Sequence, residues 1–292
     1  MLLIKNSRDL SNTILKLRSE GKKINFIPTM GNLHDGHLSL ISNAKGNKNI
    51  NLVSIFVNPL QFNDKDDFNR YPRTLKSDKL LLEKSNVDIL YVPNADFISK
   101  NILTLCLGYI SKKLCGRDRK GHFEGVGTVI LKLLVLINPD FIFLGEKDFQ
   151  QVLIIKKIID DFHFRTKVEV LPTIRDKNNV ALSSRNQLIK RNFSLLDLIP
   201  KTLIQISNEI EEGSFLFSRI SYLKKLINKK GIDRVNYLEI LKEKDLSNLD
   251  YEYSICRIFI SVTINHVRLI DNISIKRKIR LCYKKKLIEI SS

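Results

Sequence analysis

The stretch NFIPTMGNLHDGHLSLI, residues 25–41, holds two histidines, His34 and His37, three apart around Gly36, just after an apolar run ending in Pro28-Thr29-Met30-Gly31. At the start of a helix, residues three apart lie on one side of the first turn. Both imidazoles would then face one spot, together with unpaired backbone N–H groups and the positive end of the helix dipole. That setting suits phosphates. Gly31 and Gly36 would let the backbone pass close to a bulky ligand. A metal at the pair needs a third and a fourth ligand, and no His/Cys cluster lies nearby in the sequence. The plainer reading of an isolated HxxH has Asp35 and His37 capping the helix and His34 in a solvated loop.

Three further stretches carry chemistry. GEKDFQQ (145–151) adds Lys147 as a mobile positive charge for phosphate and Asp148 as an acceptor for sugar hydroxyls or, more plainly, a helix cap. Gln150 and Gln151 offer amides to a polar substrate, though one of them can equally face solvent. LSSRN (182–186) puts two hydroxyls and an arginine in a loop, a clamp for non-bridging phosphate oxygens or an ordinary turn capped by Ser183 or Ser184. NPLQF (58–62) sets Asn58 and Gln61 beside Phe62, a mixture suited to a small hydroxy acid with a methyl-rich body. Asn58 fixing a turn before Pro59 is an equal alternative.

These stretches need elements to hold them. INFIPTM reads as a buried strand, GHLSLISNAKG as a helix closing on Gly46, and INLVSIFVNP as the next strand, stopped by Pro59. A polar loop leads to a helix over roughly 75–86 and the strand VDILYVP. GVGTVILKLLVLINP then reads as a helix, DFIFLG as a strand, DFQQVLIIKKIIDDF as a helix and KVEVLPTI as a strand. The strands are continuous apolar runs alternating with helices, which predicts an α/β, Rossmann-like parallel sheet with helices on both faces. Ligands of such sheets bind beyond the carboxyl ends of the strands, and all four polar stretches fall at those ends.

After Arg185 the pattern changes to two helices, 192–212 and 214–229, then VNYLEIL and YSICRIFISVTINHVRLIDNISI as strands. This predicts a smaller C-terminal α+β domain, with a boundary near 175–185 drawn between a nucleotide-binding domain, 1–176, and a lid domain, 177–292. The tail IKRKIRLCYKKKLIEISS reads as an edge strand or a frayed basic end.

Composition excludes little. The 292 residues carry 49 Lys+Arg against 31 Asp+Glu, a net charge of +18, spread along the chain apart from a run around Lys276–Lys286. Such a field attracts anions generally. A nucleic-acid-binding protein would interleave aromatics with a basic stripe; there is no Trp, and most Phe lie in apolar segments. Cys106, Cys115, Cys256 and Cys282 form no CxxC pair, which points to a reduced compartment. With neither a signal-peptide pattern nor a spanning apolar run, a cytoplasmic protein is expected, with no membrane and no nucleic acid as partner.

Taken in order, PTMGNLHDGHLSLI, FVNPLQF, YPRT, GHFEGV, FLGEKDFQQ, ALSSRN and RLIDN resemble the pantoate–β-alanine ligase family, over about residues 24–273. The family belongs to the nucleotidyltransferases whose first motif is HIGH, here HDGH. The resemblance implies ATP-dependent ligation of pantoate and β-alanine through a pantoyl adenylate, with Mg2+ accompanying ATP, and a homodimer. It assigns ATP to Met30, Gly31, Asn32, Leu33, His34, Asp35, Gly36 and His37, to Gly145, Glu146, Lys147 and Asp148, and to Leu182, Ser183, Ser184 and Arg185. The Ile174 backbone would meet the adenine. Gln61 and Gln151 would bind pantoate, with Asn58 and Arg119 nearby, and Asp78 would help hold magnesium. His37 is the family's proton donor; His34, Lys147, Ser183, Ser184 and Arg185 complete the catalytic set. Lys120 stands where the family has Pro, Glu124 where it has a basic residue, and Asn178-Asn179-Val180-Ala181 where it has DGLA. Asn is the best non-glycine choice if that turn needs positive φ. Another HIGH-motif nucleotidyltransferase is the competing reading. Against it stand the lack of a KMSKS-type loop and the amides Asn58, Gln61 and Gln151.

Overall fold

The structure is a computed structural model that describes residues 1–292 except 46–47, 99–101, 190–192, 283–286 and 292. Its chain divides into two compact units: Met1–Glu146 with Gln150–Ile174, and Lys147–Phe149 with Arg175–Ser292.

The first unit is built on a six-stranded sheet of β1 (Leu2–Ile4), β2 (Ile24–Thr29), β3 (Ile50–Ile55), β4 (Ile89–Tyr91), β5 (Phe141–Gly145) and β6 (Lys167–Leu171). The order is β1-β4-β3-β2-β5-β6, and every pairing is parallel. Helices α1 (Ser7–Ser19), α2 (Asp35–Ala44), α3 (Lys65–Arg70), α4 (Leu75–Lys84), α5 (Leu114–Asp118), α6 (His122–Ile137) and α7 (Phe149–Asp161) flank it. From β2 the chain winds outward through β3, and from β5 it winds the other way, so the order reverses between β2 and β5. A ligand crevice is expected beyond the carboxyl ends at such a point.

Register explains how that crevice opens. β2 pairs with β5 only at Asn25↔Phe141 and Phe26↔Ile142, although both strands run on for three residues. Pro28, which has no N–H to give to a ladder, lies where that pairing has ended. The core is Ile27, Leu40, Ile41, Val53, Leu82, Leu90 and Phe143, from strands and helices that alternate in sequence.

Two elements escape a sequence reading. β1 has three residues on the sheet edge, and α1 buries only Leu10 and Ile14, too narrow an apolar stripe to stand out. The helix stop expected at Gly46 lies outside the described residues; α2 ends at Ala44.

In the second unit α8 (Leu198–Glu211) and α9 (Ser218–Lys229) pack on an antiparallel sheet of β7 (Arg234–Lys242), β8 (Cys256–Ile264) and β9 (Val267–Ser274). Ile258, Ile260, Val262 and Ile264 of β8 join the helices in one apolar core. The alternate residues Arg257, Phe259 and Ser261 face the other way. The basic tail forms β10 (Ile279–Cys282), paired antiparallel with β11 (Leu287–Ile290). Residues 283–286 of its lysine run lie outside the described residues.

Candidate active site

The turn after β2 is folded by its own side chains. Gly31 and Asn32 both have positive φ, 81° and 50°. A Cβ on Gly31 would meet Asp78 Oδ2 at 3.0 Å and Ile55 Cγ2 at 3.1 Å, so the glycine admits a close approach within the protein. Asp78, on α4 and only 2% exposed, accepts the backbone N–H of Asn32 at its Oδ2 and of Leu33 at its Oδ1, both at 2.9 Å. Thr74 donates its hydroxyl to Oδ2 at 3.0 Å. Both oxygens of Asp78 therefore brace the turn that leads to the histidines.

Those histidines cap α2. His34 is the N-cap, and its Nδ1 accepts the Gly36 N–H at 3.1 Å; Nδ1 of His37 accepts the His34 N–H at 3.3 Å. This is a capping box with imidazoles in both places, and the rings lie 4.2 Å apart. The cap is His34, not the Asp35 of the plainer reading. An imidazole that accepts at Nδ1 is neutral and carries its proton on Nε2. Each ring is thus fixed as an Nε2–H donor beside a helix N-terminus. A Cβ on Gly36 would lie 2.8 Å from His34 Cε1, so Gly36 is there for the ring that caps it.

The NPLQF turn follows β3. Asn58, 2% exposed, caps the 3-10 turn Pro59–Gln61 by accepting the Leu60 N–H at 3.0 Å. Its Nδ2 donates to Gly125 O and to Gln61 Oε1, both at 3.1 Å. With its oxygen and both N–H groups occupied, Asn58 orients Gln61. Gln61, so oriented, points Nε2 at Met30 Sδ, 3.0 Å away. Its backbone carbonyl accepts Arg119 Nη2 at 2.9 Å and His122 Nδ1 at 2.8 Å. A carbonyl only accepts, so His122 carries its proton on Nδ1, and its Nε2 takes Arg119 Nη1 at 3.2 Å. Below this turn a Cβ on Gly125 would lie 2.3 Å from Leu60 O, which holds α6 directly against it.

Beyond β5, Gly145 has nothing within 4 Å of the place a Cβ would take. Glu146–Asp148 form a 3-10 turn that runs into α7. The two glutamines separate cleanly. Gln150 is buried, accepts the Cys115 N–H at 3.0 Å and donates to Ile110 O and Lys113 O at 2.8 and 2.7 Å, bracing that loop. Gln151 is half-buried, and its amide has no partner among the described residues. Ile174, 36% exposed, closes the first unit just past β6.

Lys147 and Asp148 belong with the second unit, their charged groups 3.6 Å apart. So do Leu182, Ser183, Ser184 and Arg185. They follow a tight hairpin closed by the Arg175↔Ala181 bridge, in which Asp176 Oδ1 accepts the N–H groups of Asn178 and Val180. Asn179 has φ 63°, the conformation for which Asn replaces glycine best. Ser183 Oγ accepts the Arg185 N–H at 3.3 Å, Ser184 is buried, and Arg185 precedes the 3-10 turn Asn186–Leu188. The two departures near α6 sit in ordinary contacts: Lys120 O accepts Asn63 Nδ2, and Glu124 Oε1 accepts the Ser111 hydroxyl.

A reading of types and spacing misses His122. The signal was present, a histidine after Arg119 in GHFEGV, but nothing in the sequence says that it holds the Gln61 carbonyl.

A six-stranded parallel sheet, with two donor imidazoles at a helix start beside its reversal point and an oriented amide next to them, defines an α/β nucleotide-binding enzyme. The chain belongs to the pantoate–beta-alanine ligase family, whose model matches residues 2–274. With it the chain joins the ligases that use ATP to form a carbon–nitrogen bond. It is 37% identical over 281 residues to the pantothenate synthetase of a Sulfurihydrogenibium species, covering 94% of this chain and 99% of that one. It is 40% identical over 282 residues to the pantothenate synthetase of Buchnera aphidicola, covering 93% and 98%. The crystal structure of the Thermus thermophilus pantothenate synthetase superposes with a TM-score of 0.86 at 28% identity, covering 94% of this chain and 99% of that one. The Francisella tularensis ligase, solved with beta-gamma ATP and beta-alanine, matches at a TM-score of 0.77 and 37% identity, covering 94% and 97%.

Proposed function

We propose that this ligase works through an acyl adenylate. The carboxylate of pantoate attacks the α-phosphorus of ATP and pyrophosphate departs. The amine of β-alanine then attacks the acyl carbon, AMP leaves, and pantothenate is formed after the amine loses a proton. The observation that carries the reading is the 3.0 Å contact between Gln61 Nε2 and Met30 Sδ. It joins the acid-binding turn to the histidine turn, as a reaction between an acid and a phosphate requires.

Adenylation gathers negative charge on the phosphoryl oxygens and the departing pyrophosphate, so preorganised donors there lower the barrier. The Nε2–H groups of His34 and His37 and the α2 N-terminus supply them, and Lys147, Ser183, Ser184 and Arg185 add theirs. His37 would donate a hydrogen bond from Nε2–H to the departing pyrophosphate, keeping its proton. Gly145 and Asp148 hold the ribose, and the Ile174 backbone meets the adenine. Gln61 and Gln151 bind pantoate, with Asn58, Arg119 and His122 setting the pose of Gln61.

Magnesium would ride on the nucleotide. No group of three or more His, Cys, Asp or Glu fit to hold a metal occurs among the described residues. Asp78 accepts the N–H groups of Asn32 and Leu33 and the Thr74 hydroxyl, which leaves one lone pair on Oδ1. Magnesium on a nucleotide is usually held by one or two carboxylates together with the substrate phosphates; Asp78 is the residue that would supply one, and no step is routed through the ion. The first unit is read as the nucleotide-binding domain and the second as its lid.

ATP–pyrophosphate exchange tests the reading. Exchange that appears only with pantoate supports it, and exchange indifferent to pantoate overturns it. No helix among the described residues is long and apolar enough to cross a membrane. A cytoplasmic homodimer is the companion proposal, for which a monomeric mass in sedimentation equilibrium would be the contrary result.

A further inference from the structure

RLIDN, residues 268–272, is a motif to which the mechanism assigns no task. Its last two residues lie adjacent on β9, so their side chains leave opposite faces of the sheet. Asn272, 4% exposed, shares a face with Arg257 and Phe259; Asp271, 2% exposed, lies on the helix side.

Each side chain holds a segment that carries phosphate-handling groups. Asn272 Nδ2 donates to the Lys147 carbonyl at 2.8 Å. That amide cannot turn round, because its Oδ1 accepts Nη1 of Arg257. Arg257, 3% exposed, is itself held by Glu243 at 3.1 Å, and its guanidinium lies 4.0 Å from the centroid of the Phe149 ring. Lys147 is thus fixed on one side by its carbonyl and on the other through Phe149. On the opposite face, Asp271 takes Nη1 and Nη2 of Arg175 at 2.7 and 2.9 Å. Arg175 also donates to Asn179 O at 2.9 Å and so locks the hairpin that leads to Ser183–Arg185. A bidentate pair of this kind fixes direction as well as distance.

We propose that Asp271 and Asn272 are positioning residues for the two phosphate-binding segments, Asn272 acting through Lys147 and Asp271 through Arg175 on Ser183–Arg185. Neither side chain needs to touch substrate. One strand turns two loops, far apart in sequence, into one preset array of cations and hydroxyls. The inference rests on the phosphate role proposed for Lys147 and Arg185.

Pantoate-dependent ATP–pyrophosphate exchange in double-mutant cycles tests it. Misplacing a reacting group by an ångström costs about 10²-fold, so Asn272→Ala should lower kcat/KM for ATP by at least about tenfold. In the Lys147→Ala background the same change should cost less than about twofold, because its effect runs through Lys147. Asp271→Asn should behave likewise against Arg185→Ala, whereas Asn272→Ala and Arg185→Ala should multiply independently. KM for pantoate should hold, which a general loss of structure would not leave unmoved. If Asn272→Ala does not fold, Asn272→Asp keeps size and the Arg257 contact while removing the donor, and the same cycle is read. Multiplicative losses in the Asn272–Lys147 and Asp271–Arg185 cycles overturn the inference. Near-normal exchange by Lys147→Ala or Arg185→Ala alone overturns the underlying phosphate role instead.

Discussion

Replacing Asp78 separates a brace from a metal ligand. Its carboxylate is almost fully buried and receives the backbone N–H groups of Asn32 and Leu33 and the Thr74 hydroxyl. A hydrogen bond to a charged acceptor contributes about 1.5–3 kcal/mol, and a buried donor left without one costs a similar amount. Asp78→Asn keeps the volume but leaves one oxygen where two stood, so one N–H loses its acceptor and faces an amide N–H. The loss should be about 2–4 kcal/mol, which a protein of ordinary stability, about 5–15 kcal/mol, survives. Thr74→Val removes only the hydroxyl and should cost about 0.5–1.5 kcal/mol. The turn carries the histidines, so exchange by Asp78→Asn should fall about 10²-fold through misplacement, at every magnesium concentration. Urea unfolding and exchange titrated with magnesium read both effects. Stability within about 0.5 kcal/mol of the parent, with exchange restored by added magnesium, would refute the brace and make Asp78 a metal ligand.

Gly36→Ala puts a Cβ 2.8 Å from the His34 ring, so the cap should be lost at about 0.5–2 kcal/mol in thermal unfolding, with slower exchange. Gly125→Ala drives a Cβ to 2.3 Å from Leu60 O; such overpacking costs about 1–3 kcal/mol. By moving Gln61 it should raise KM for pantoate more than KM for ATP. His37→Gln retains a side chain able to complete the capping box, so its melting temperature should stay near the parent's while exchange drops; unaltered exchange would remove His37 from the mechanism. Burial pushes the Cys256 thiol up from 9.0 to about 12, so a thiol reagent at pH 8 should modify exposed Cys106 and reach Cys256 only on unfolding. The raised value in the folded state means that this contribution to stability is whole below about pH 9 and is lost as pH rises towards 12.

What could be read from the sequence follows from which signals are local. β2, β3 and β5 are mostly apolar runs between turn residues, and burial on both faces makes them so, with Asn25 and Asn51 as buried polar exceptions on β2 and β3. Asn179 was readable because positive φ restricts residue choice at one position. Asp78 was not, because the N–H groups it serves lie 45 and 46 residues away, and a lone aspartate in a helix says nothing of them. The same holds for His122, whose partner carbonyl is 61 residues distant. Gln150 and Gln151 are adjacent and chemically identical; only the helix phase assigns one to the loop and leaves the other open.

The two histidines show why the plain and the sharp readings of HxxH need not compete. A cap requires an acceptor at Nδ1, and a neutral ring that accepts there must carry its proton at Nε2. Capping therefore selects the tautomer that phosphate binding needs. It also spares both rings the tautomer search that a free imidazole makes before each donation. Ser and Glu, the usual capping pair, would close the helix as well but would bring a negative charge to an anion site. Imidazole closes the helix without that charge and still offers a donor, so the residues that fold the turn and those that handle the nucleotide are the same two.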